Sequence, residues 1–309
     1  EKGRHDLLKA FYFDFLQCAI DPRKEENLKV GKKTLWANIG TFQFHLPEGN
    51  PAAQVFQGIV TLAYPSIKDV LDHYERNLQL QTILGNSKFS IMVMDDELHV
   101  TDPWGTQFRL IQDSSNYYAD TRGCQPGEES KGIAMTDLPF FFLSDNVSNF
   151  AGIAQFYERI LGAPCLDWNE SLCVVSVGPK QTLSFRRHAK AESSIHHEEL
   201  VQTEEGGISN YGAHVSMYVS NLREAYQRAQ VIGVTYVNPR FKRRAYTLEE
   251  AMEDCMFRIL DIVDPDNVKA GPILKLEHEV RSVVKRDGSK YKSCPFYDIP
   301  VECKAVKTM

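Results

Sequence analysis

The strongest constraint on the fold is an internal repeat. His5 to Ile20 and Phe150 to Leu161 both place apolar side chains on one face at helical spacing. Each segment also contains a Phe-Tyr pair, Phe11-Tyr12 in the first and Phe156-Tyr157 in the second. A repeated helix with the same aromatic pair predicts two copies of one supersecondary unit.

Each half continues with further strand and helix patterns. Ser66 is a suitable N-cap for a helix over Ile67 to Asn77, and Asn221 for a helix over Leu222 to Ile232. Strands are predicted at 35–46, 58–64, 88–94, 97–101 and 107–112 in the first half, and at 172–187, 213–219, 257–263 and 273–280 in the second. This order predicts four strand–helix–strand–strand–strand modules, the first without its opening strand, which we expect before Glu1.

Turn residues mark the ends of the two halves. Asp102-Pro103-Trp104-Gly105 and Asp264-Pro265-Asp266-Asn267 stand before the last predicted strand of each half. A stretch rich in Ser, Asn, Gly and Glu then separates the halves. We therefore predict an α+β protein with a first domain at 1–113, a linker at 114–131, a second domain at 132–282 and a tail at 283–309.

Composition excludes several classes of protein. A net charge of −6 and a pI near 5.9 argue against nucleic acid as a partner, which requires a basic face. No apolar run approaches the roughly 18 residues that a membrane span needs. Seven cysteines without a C-x-x-C pair favour reduced thiols. We expect a cytoplasmic protein, or an organellar one if a targeting segment precedes residue 1.

Several motifs of the second half resemble those of the vicinal oxygen chelate superfamily, which includes glyoxalases, bleomycin-resistance proteins and extradiol dioxygenases. They are Leu143-Ser144-Asp145, Phe156-Tyr157, Leu161-Gly162, Ala213-His214-Val215 and Asp264-Pro265-Asp266. The first half offers Phe11-Tyr12, Gly58-Ile59-Val60 and Asp102-Pro103-Trp104-Gly105 in the same order. The resemblance implies four βαβββ modules, paired into two glyoxalase-like domains with cupped mixed sheets.

The resemblance also implies a divalent metal held by His and Glu side chains inside a cupped sheet. In the first half, Gly58 and Arg109 occupy the ligand positions, so we expect no metal there. Arg109 and His45 are instead candidate ligand-binding residues, because an arginine can hold a carboxylate with two hydrogen bonds. The alternatives are that Arg109 forms an ordinary salt bridge and that His45 is a hydrogen-bonded structural residue.

In the second half, His214 matches a ligand position and Glu277 a second one, and we predict them as metal ligands. The short insertion after Asp266 leaves Lys275 as the alternative at the second position, and the other alternative is that His214 and Glu277 are ordinary polar residues of a strand. Leu138 matches the position of a third ligand but cannot coordinate a metal. The missing ligand would have to come from Asp137, His188 or the polar insertion at 189–212. The predicted cofactor is a divalent metal (Zn, Mn or Fe) in the second domain, or none if the site is degenerate.

Three functions therefore remain open. The chain could bind a small organic ligand in a cupped sheet with a degenerate metal site. It could be a metal-dependent lyase, isomerase or ring-cleaving dioxygenase, or it could be a non-catalytic scaffold. The missing third ligand favours ligand binding and the scaffold function over a metal-dependent enzyme. Of these we expect ligand binding, with a small molecule as the partner and neither nucleic acid nor a membrane involved. The sequence does not predict an oligomeric state.

Overall fold

The computed structural model describes residues 1–31, 33–48, 53–117, 120, 122, 128–142, 148–187, 201–202, 208–209, 214–284 and 289. These residues form two compact units, the first within Glu1–Leu138 and the second within Pro139–Cys294. Helices and cupped mixed sheets are both present, so the predicted α+β class is confirmed. No helix in the described part of the chain is long and apolar enough to cross a membrane.

Seven α-helices are present in the described residues, and two of them continue as π-helices. The α-helices are α1 (His5–Leu8), α2 (Glu25–Val30), α3 (Ile67–Arg76), α4 (Leu78–Gly85), α5 (Ser148–Phe156), α6 (Leu222–Val231) and α7 (Leu248–Asp254). The π-helices are Lys9–Phe15 after α1 and Tyr157–Leu161 after α5. The predicted caps are confirmed, because Ser66 accepts from the Asp69 N–H (3.2 Å) and Asn221 from the Glu224 N–H (3.1 Å).

The first unit contains two sheets. Its strands are β1 (Ala19–Ile20), β2 (Leu35–Ile39), β3 (Phe42–Leu46), β4 (Ile59–Tyr64), β5 (Ser90–Met94), β6 (Glu97–Thr101), β7 (Gln107–Gln112) and the beginning of β8 (Ala134–Phe142). One sheet is antiparallel, in the order β1-β2-β3. The other has the order β5-β6-β7-β4, with the start of β8 beside β4, and it is mixed because β4 and β7 run parallel.

The second unit also has a four-stranded sheet that includes a parallel pair. Its strands, after the end of β8, are β9 (Cys165–Trp168), β10 (Leu172–Gly178), β11 (Gln181–Arg187), β12 (Val201–Gln202), β13 (Ile208–Ser209), β14 (His214–Val219), β15 (Thr235–Tyr236), β16 (Met256–Val263) and β17 (Pro272–Ser282). Strands β11, β10 and β9 lie in that order, and a separate sheet has the order β14-β17-β16-β15. In the latter sheet, β14 and β17 run parallel.

The repeated Phe-Tyr pair has the same role in both units. Phe11 and Tyr12 are buried with their rings edge to face at 5.1 Å, and Phe156 and Tyr157 are buried in the same arrangement at 5.7 Å. Phe11 also packs edge to face on Phe108 of β7, with centroids 5.1 Å apart. Edge-to-face contacts of this kind stabilise a core beyond the area that they bury. The repeat in the sequence therefore marks the point where each helix packs on its sheet.

The helix predicted over His5 to Ile20 is too long. It ends at Phe15, and Ala19–Ile20 form β1, which pairs with β2. Gln17 adopts a positive φ of 52°, which interrupts the helix before β1 begins. Apolar periodicity did not reveal this boundary, since Ala19 and Ile20 also fit a helical face. The periodicity likewise missed α2, α4, α7 and β9.

The stretch predicted as β-rich at 35–46 is a hairpin around Gly40. Gly40 has a φ of 51°, and its backbone N–H donates to Ser130 Oγ at 2.9 Å. A Cβ atom at this position would lie 2.0 Å from the carbonyl oxygen of Ile133. Only glycine satisfies both the positive φ and the close approach.

The predicted linker falls partly, and the predicted tail mostly, outside the described residues. Within 114–131, the described residues form neither a helix nor a strand. Of the predicted tail at 283–309, only residues 283, 284 and 289 are described.

Candidate ligand-binding site

The second unit presents a polar face on the sheet β14-β17-β16-β15. Successive side chains of a strand point to opposite faces, so Glu277, Glu279 and Arg281 of β17 share one face. The register places His214 of β14 opposite Glu277, and Arg258 of β16 opposite Glu279. The fold therefore brings a histidine, two carboxylates and two guanidinium groups onto one surface of the sheet.

Arg258 lies at the centre of this polar face. Its guanidinium forms ion pairs with Glu277 and with Glu279, and its Cζ lies 3.9 Å from the ring centroid of Phe241. The side chains of Arg258, Glu277 and Glu279 are only 5%, 1% and 7% exposed. Removing three charges from water is costly unless they are paired. Arg258 is thus a buried cation that two buried carboxylates share.

Further polar groups hold the two carboxylates in place. Asn238 donates its side-chain N–H to Glu277 Oε2 at 2.9 Å, and Arg281 forms an ion pair with Glu279. Burial raises the pKa of Glu279, but Arg281 and Arg258 together outweigh burial, so the net pKa lies below its usual value. Glu279 is therefore ionised at neutral pH.

His214 lies at the beginning of β14, beside these charges. The residue is exposed to solvent, yet enough protein surrounds its ring that loss of hydration lowers its pKa. The carboxylates of Glu277 and Glu279 oppose this shift, and Arg258 supports it. The ring of Phe241 lies edge to face with that of His214, with centroids 6.1 Å apart. At neutral pH, His214 presents an uncharged, solvent-accessible imidazole next to an aromatic ring.

His278 lies on the opposite face of β17 and has a structural role. It is fully buried, its Nε2 lies 2.6 Å from the Tyr157 hydroxyl, and its Nδ1 lies 2.7 Å from the Leu276 carbonyl oxygen. Since a carbonyl only accepts, Nδ1 carries the proton and Nε2 accepts from the tyrosine. Burial lowers the pKa of His278 to about 4. The prediction that Glu277 and His278 occupy opposite faces is confirmed.

The arrangement around Glu277 does not fit a divalent metal. His214 and Glu277 do lie opposite each other, but the Arg258 cation is already bound to the carboxylate. Among the described residues, no group of three or more His, Cys, Asp or Glu side chains could hold a metal ion. Of the candidate third ligands, Asp137 lies on β8 of the first unit, where the strand register places it opposite Thr61 of β4. His188 and most of 189–212 lie outside the described residues. A cation site with three protein ligands is therefore not formed by the described side chains.

In the first unit, Arg109 belongs to an ion-pair network on the sheet. Its Nε donates to Glu97 Oε2 at 2.5 Å, and His99 Nε2 lies 2.5 Å from the other oxygen of Glu97. The hydrogen bond from His99 and the guanidinium of Arg109 lower the pKa of Glu97. The Arg109 side chain is 46% exposed, so solvent screens this pair. The carboxylate beside Arg109 is thus supplied by the protein itself.

His45, the other predicted binding residue of the first unit, lies in a different network. Its ring stacks on Trp36 with centroids 4.8 Å apart, and its Nε2 lies 2.7 Å from Gln43 Oε1. The Gln43 amide donates to the buried carboxylate of Asp21 at 2.7 Å, which Arg23 also binds. Whether His45 or Arg109 binds a ligand stays a prediction.

Sequence reasoning missed Arg258, Asn238, Glu279 and Phe241. A signal for Arg258 was present, because it is a single charge within the otherwise apolar run Phe257-Arg258-Ile259-Leu260. Arginine is rarely buried unless it is paired, so this position predicts a carboxylate partner. Asn238 and Phe241 lie in the segment after β15, and no pattern in the sequence relates them to β17.

Comparison with known proteins identifies the fold. No family model matches the chain, and no curated protein matches it in sequence. A glyoxalase I variant from Zea mays superimposes with a TM-score of 0.52 and 9% identity, over 91% of this chain and 90% of that one. A candidate dioxygenase from Bacillus subtilis superimposes with a TM-score of 0.50 and 10% identity, over 97% of this chain and 87% of that one. At these identities the likeness is one of fold.

Proposed function

We propose that this chain, whose fold is that of the vicinal oxygen chelate superfamily, binds a small organic ligand on the polar face of its second unit without a divalent metal. One observation carries the proposal. The Arg258 guanidinium is bound to Glu277 and Glu279, beside the histidine that matches a metal ligand of the superfamily. Arg258 thus supplies an internal positive charge to both carboxylates, and Arg281 supplies a second one to Glu279.

The exposed part of this face sets the chemistry of the ligand. His214 offers one hydrogen-bond donor and one acceptor when neutral. Phe241 provides an apolar surface beside it, and Arg240 lies over the same ring with its Cζ 5.9 Å from the centroid. A small molecule with a planar apolar part and a hydroxyl or carboxylate group fits these three side chains. Binding sites of this kind combine an apolar wall with a few fixed polar groups.

A ligand screen tests the binding proposal directly. A panel of aromatic and aliphatic hydroxy acids is added to the purified protein, and the shift of its thermal midpoint is measured. We expect some compounds to raise the thermal midpoint. The increase should be lost in His214→Ala and kept in His45→Ala, which removes an exposed histidine of the first unit as a control. Stabilisation that depends on His45 rather than His214, or no stabilisation by any compound, would contradict the proposal.

Metal titration tests the absence of a metal. Calorimetry with Zn²⁺, Mn²⁺ and Fe²⁺ should give no stoichiometric binding to the wild-type protein, because both carboxylates are already bound to Arg258. Metal content after purification without a chelating column gives a second measurement. Stoichiometric binding that His214→Ala abolishes would favour a metal-dependent lyase, isomerase or dioxygenase instead.

A further inference from the structure

Strand β5 of the first unit exposes two methionines on the face of its sheet that is turned away from the core. Met92 and Met94 are 55% and 45% exposed, and they share one face because successive side chains of a strand alternate. The register sets Met92 opposite His99 of β6, and Met94 opposite Glu97. Leu98, between these two residues of β6, is buried on the other face. Two thioethers, an imidazole and a carboxylate therefore share a solvent-accessible surface.

The spacing on this face lets the two thioethers and the imidazole reach a single ion. Met92 and His99 are directly opposite, and Cβ atoms in such a pair are roughly 4.5–5.5 Å apart. Met94 and His99 form a diagonal pair, roughly 7–8 Å apart, which long side chains can span. A methionine side chain has three rotatable bonds, so its sulfur can move to meet a ligand. The three side chains can thus converge without a change in the backbone.

Glu97 orients the imidazole of His99. The Nε2 atom of His99 lies 2.5 Å from Glu97 Oε1, and Arg109 donates its Nε–H to Glu97 Oε2, also at 2.5 Å. An ionised carboxylate only accepts, so Nε2 carries the proton and Nδ1 of the neutral ring keeps its lone pair. Histidines that bind metals usually donate their other N–H to a carboxylate or a carbonyl in this way. His99 is therefore prepared to coordinate a metal through Nδ1.

We propose that Met92, Met94 and His99 form a binding site for monovalent copper, Cu(I). Thioether sulfur is a soft ligand that selects Cu(I), and imidazole also suits copper. All three ligands are uncharged, which favours a singly charged ion over a divalent one. Since the methionines are about half exposed, the ion is bound at the surface and can exchange with solvent or with another carrier.

The charges around this site favour a cation. Asp95 and Asp96 form the exposed turn that follows Met94, and Glu97 adds a third carboxylate. Arg109 offsets one of these charges through its ion pair with Glu97. Three carboxylates and one guanidinium leave an excess of negative charge, which attracts cations. The site is separate from the superfamily ligand position that Arg109 occupies, where we expect no divalent metal.

Silver(I), a diamagnetic soft ion with the same charge as Cu(I), tests the site in solution. Accessible thiols are first capped with iodoacetamide, so that they do not compete for the metal. The seven methionines are labelled with carbon-13 in their methyl groups and followed by NMR during the titration. A stoichiometric amount of Ag(I) should shift the resonances of Met92 and Met94, which Met92→Leu and Met94→Leu assign. Zn²⁺ should shift neither.

Substitutions test each ligand. A group that only orients a ligand is worth about 10–100-fold in metal affinity, so Met92→Leu, Met94→Leu and His99→Ala should each raise the dissociation constant for Ag(I) at least about tenfold. Met252→Leu on α7 and His214→Ala, both in the second unit, should leave it unchanged. Cu(I), kept reduced by ascorbate without oxygen, should show the same dependence.

Three results would overturn the proposal. The first is no uptake of Ag(I), and the second is uptake without a shift at Met92 and Met94. The third is an affinity that all three variants at Met92, Met94 and His99 retain, with circular dichroism showing that they are folded. Loss of binding in His214→Ala alone would place the ion in the second unit instead.

Discussion

Replacing Arg258 with methionine tests whether the buried guanidinium holds the polar face together. Methionine fills similar space without charge, and it leaves Glu277 and Glu279 buried, at 1% and 7% exposure, without their shared cation. Removing one partner of a buried ion pair costs about 3–5 kcal/mol, because the other charge stays out of water. Glu279 keeps Arg281, so we expect the lower half of this range for the free energy of unfolding at pH 7.

The assay compares this variant with a matched one in the first unit. Urea unfolding followed by circular dichroism gives the overall change, and hydrogen exchange of β16 and β17 amides reports on the second unit alone. Arg109→Met breaks an exposed pair and should cost about 0–1 kcal/mol. The loss of unfolding free energy in Arg258→Met should also be smaller at pH 5, because an unpaired buried carboxylate takes up a proton there. An equal cost for the two variants would refute the assignment of Arg258 as the buried cation that Glu277 and Glu279 share.

Three further predictions follow from the same contacts. The pKa of about 4 for His278 lies below the ordinary 6.5, so the unfolded state binds more protons and stability should fall by about 3 kcal/mol as pH drops from 6.5 to 4. Titration of unfolding free energy against pH checks this, and His278→Gln should flatten that part of the profile. Arg258→Ala should gain affinity for Zn²⁺ or Mn²⁺ in calorimetry, since it frees two carboxylates beside His214. Unchanged heats of metal binding would contradict the proposal that Arg258 occupies the place of a metal ion beside Glu277 and Glu279. Gly40→Ala should lower the thermal midpoint through its contact with Ile133, whereas the exposed Gly85→Ala should not.

Much of the fold followed from short-range patterns. The Phe-Tyr repeat marked the two helices that pack on the sheets, and Ser66 and Asn221 marked two helix beginnings. These features are local, because a cap or an apolar stripe acts within one or two turns. The predicted end of the first helix was wrong for the same reason. Local patterns do not show that the chain leaves the helix after Phe15, because β1 forms only through its hydrogen bonds with β2.

The candidate site was less predictable. Alternation along β17 separated Glu277 from His278, and the motif around His214 pointed to the same sheet. The partner of Glu277, however, comes from 19 residues earlier in the chain, on β16. Strand register decides which side chains meet, and register depends on the whole sheet.

The sequence by itself thus determined the modules, their order and the residues eligible for a site. Periodicity, caps and turns act over a few residues, and an ordered set of such motifs is enough to identify the fold. Only the tertiary structure decided what those residues do. In it, Arg258 forms ion pairs with Glu277 and Glu279. His278 is buried and hydrogen-bonded to Tyr157, and Arg109 forms an ion pair with Glu97. Whether a carboxylate binds a metal, a ligand or its own arginine depends on its neighbours in space, because charge and burial are properties of the packed sheet.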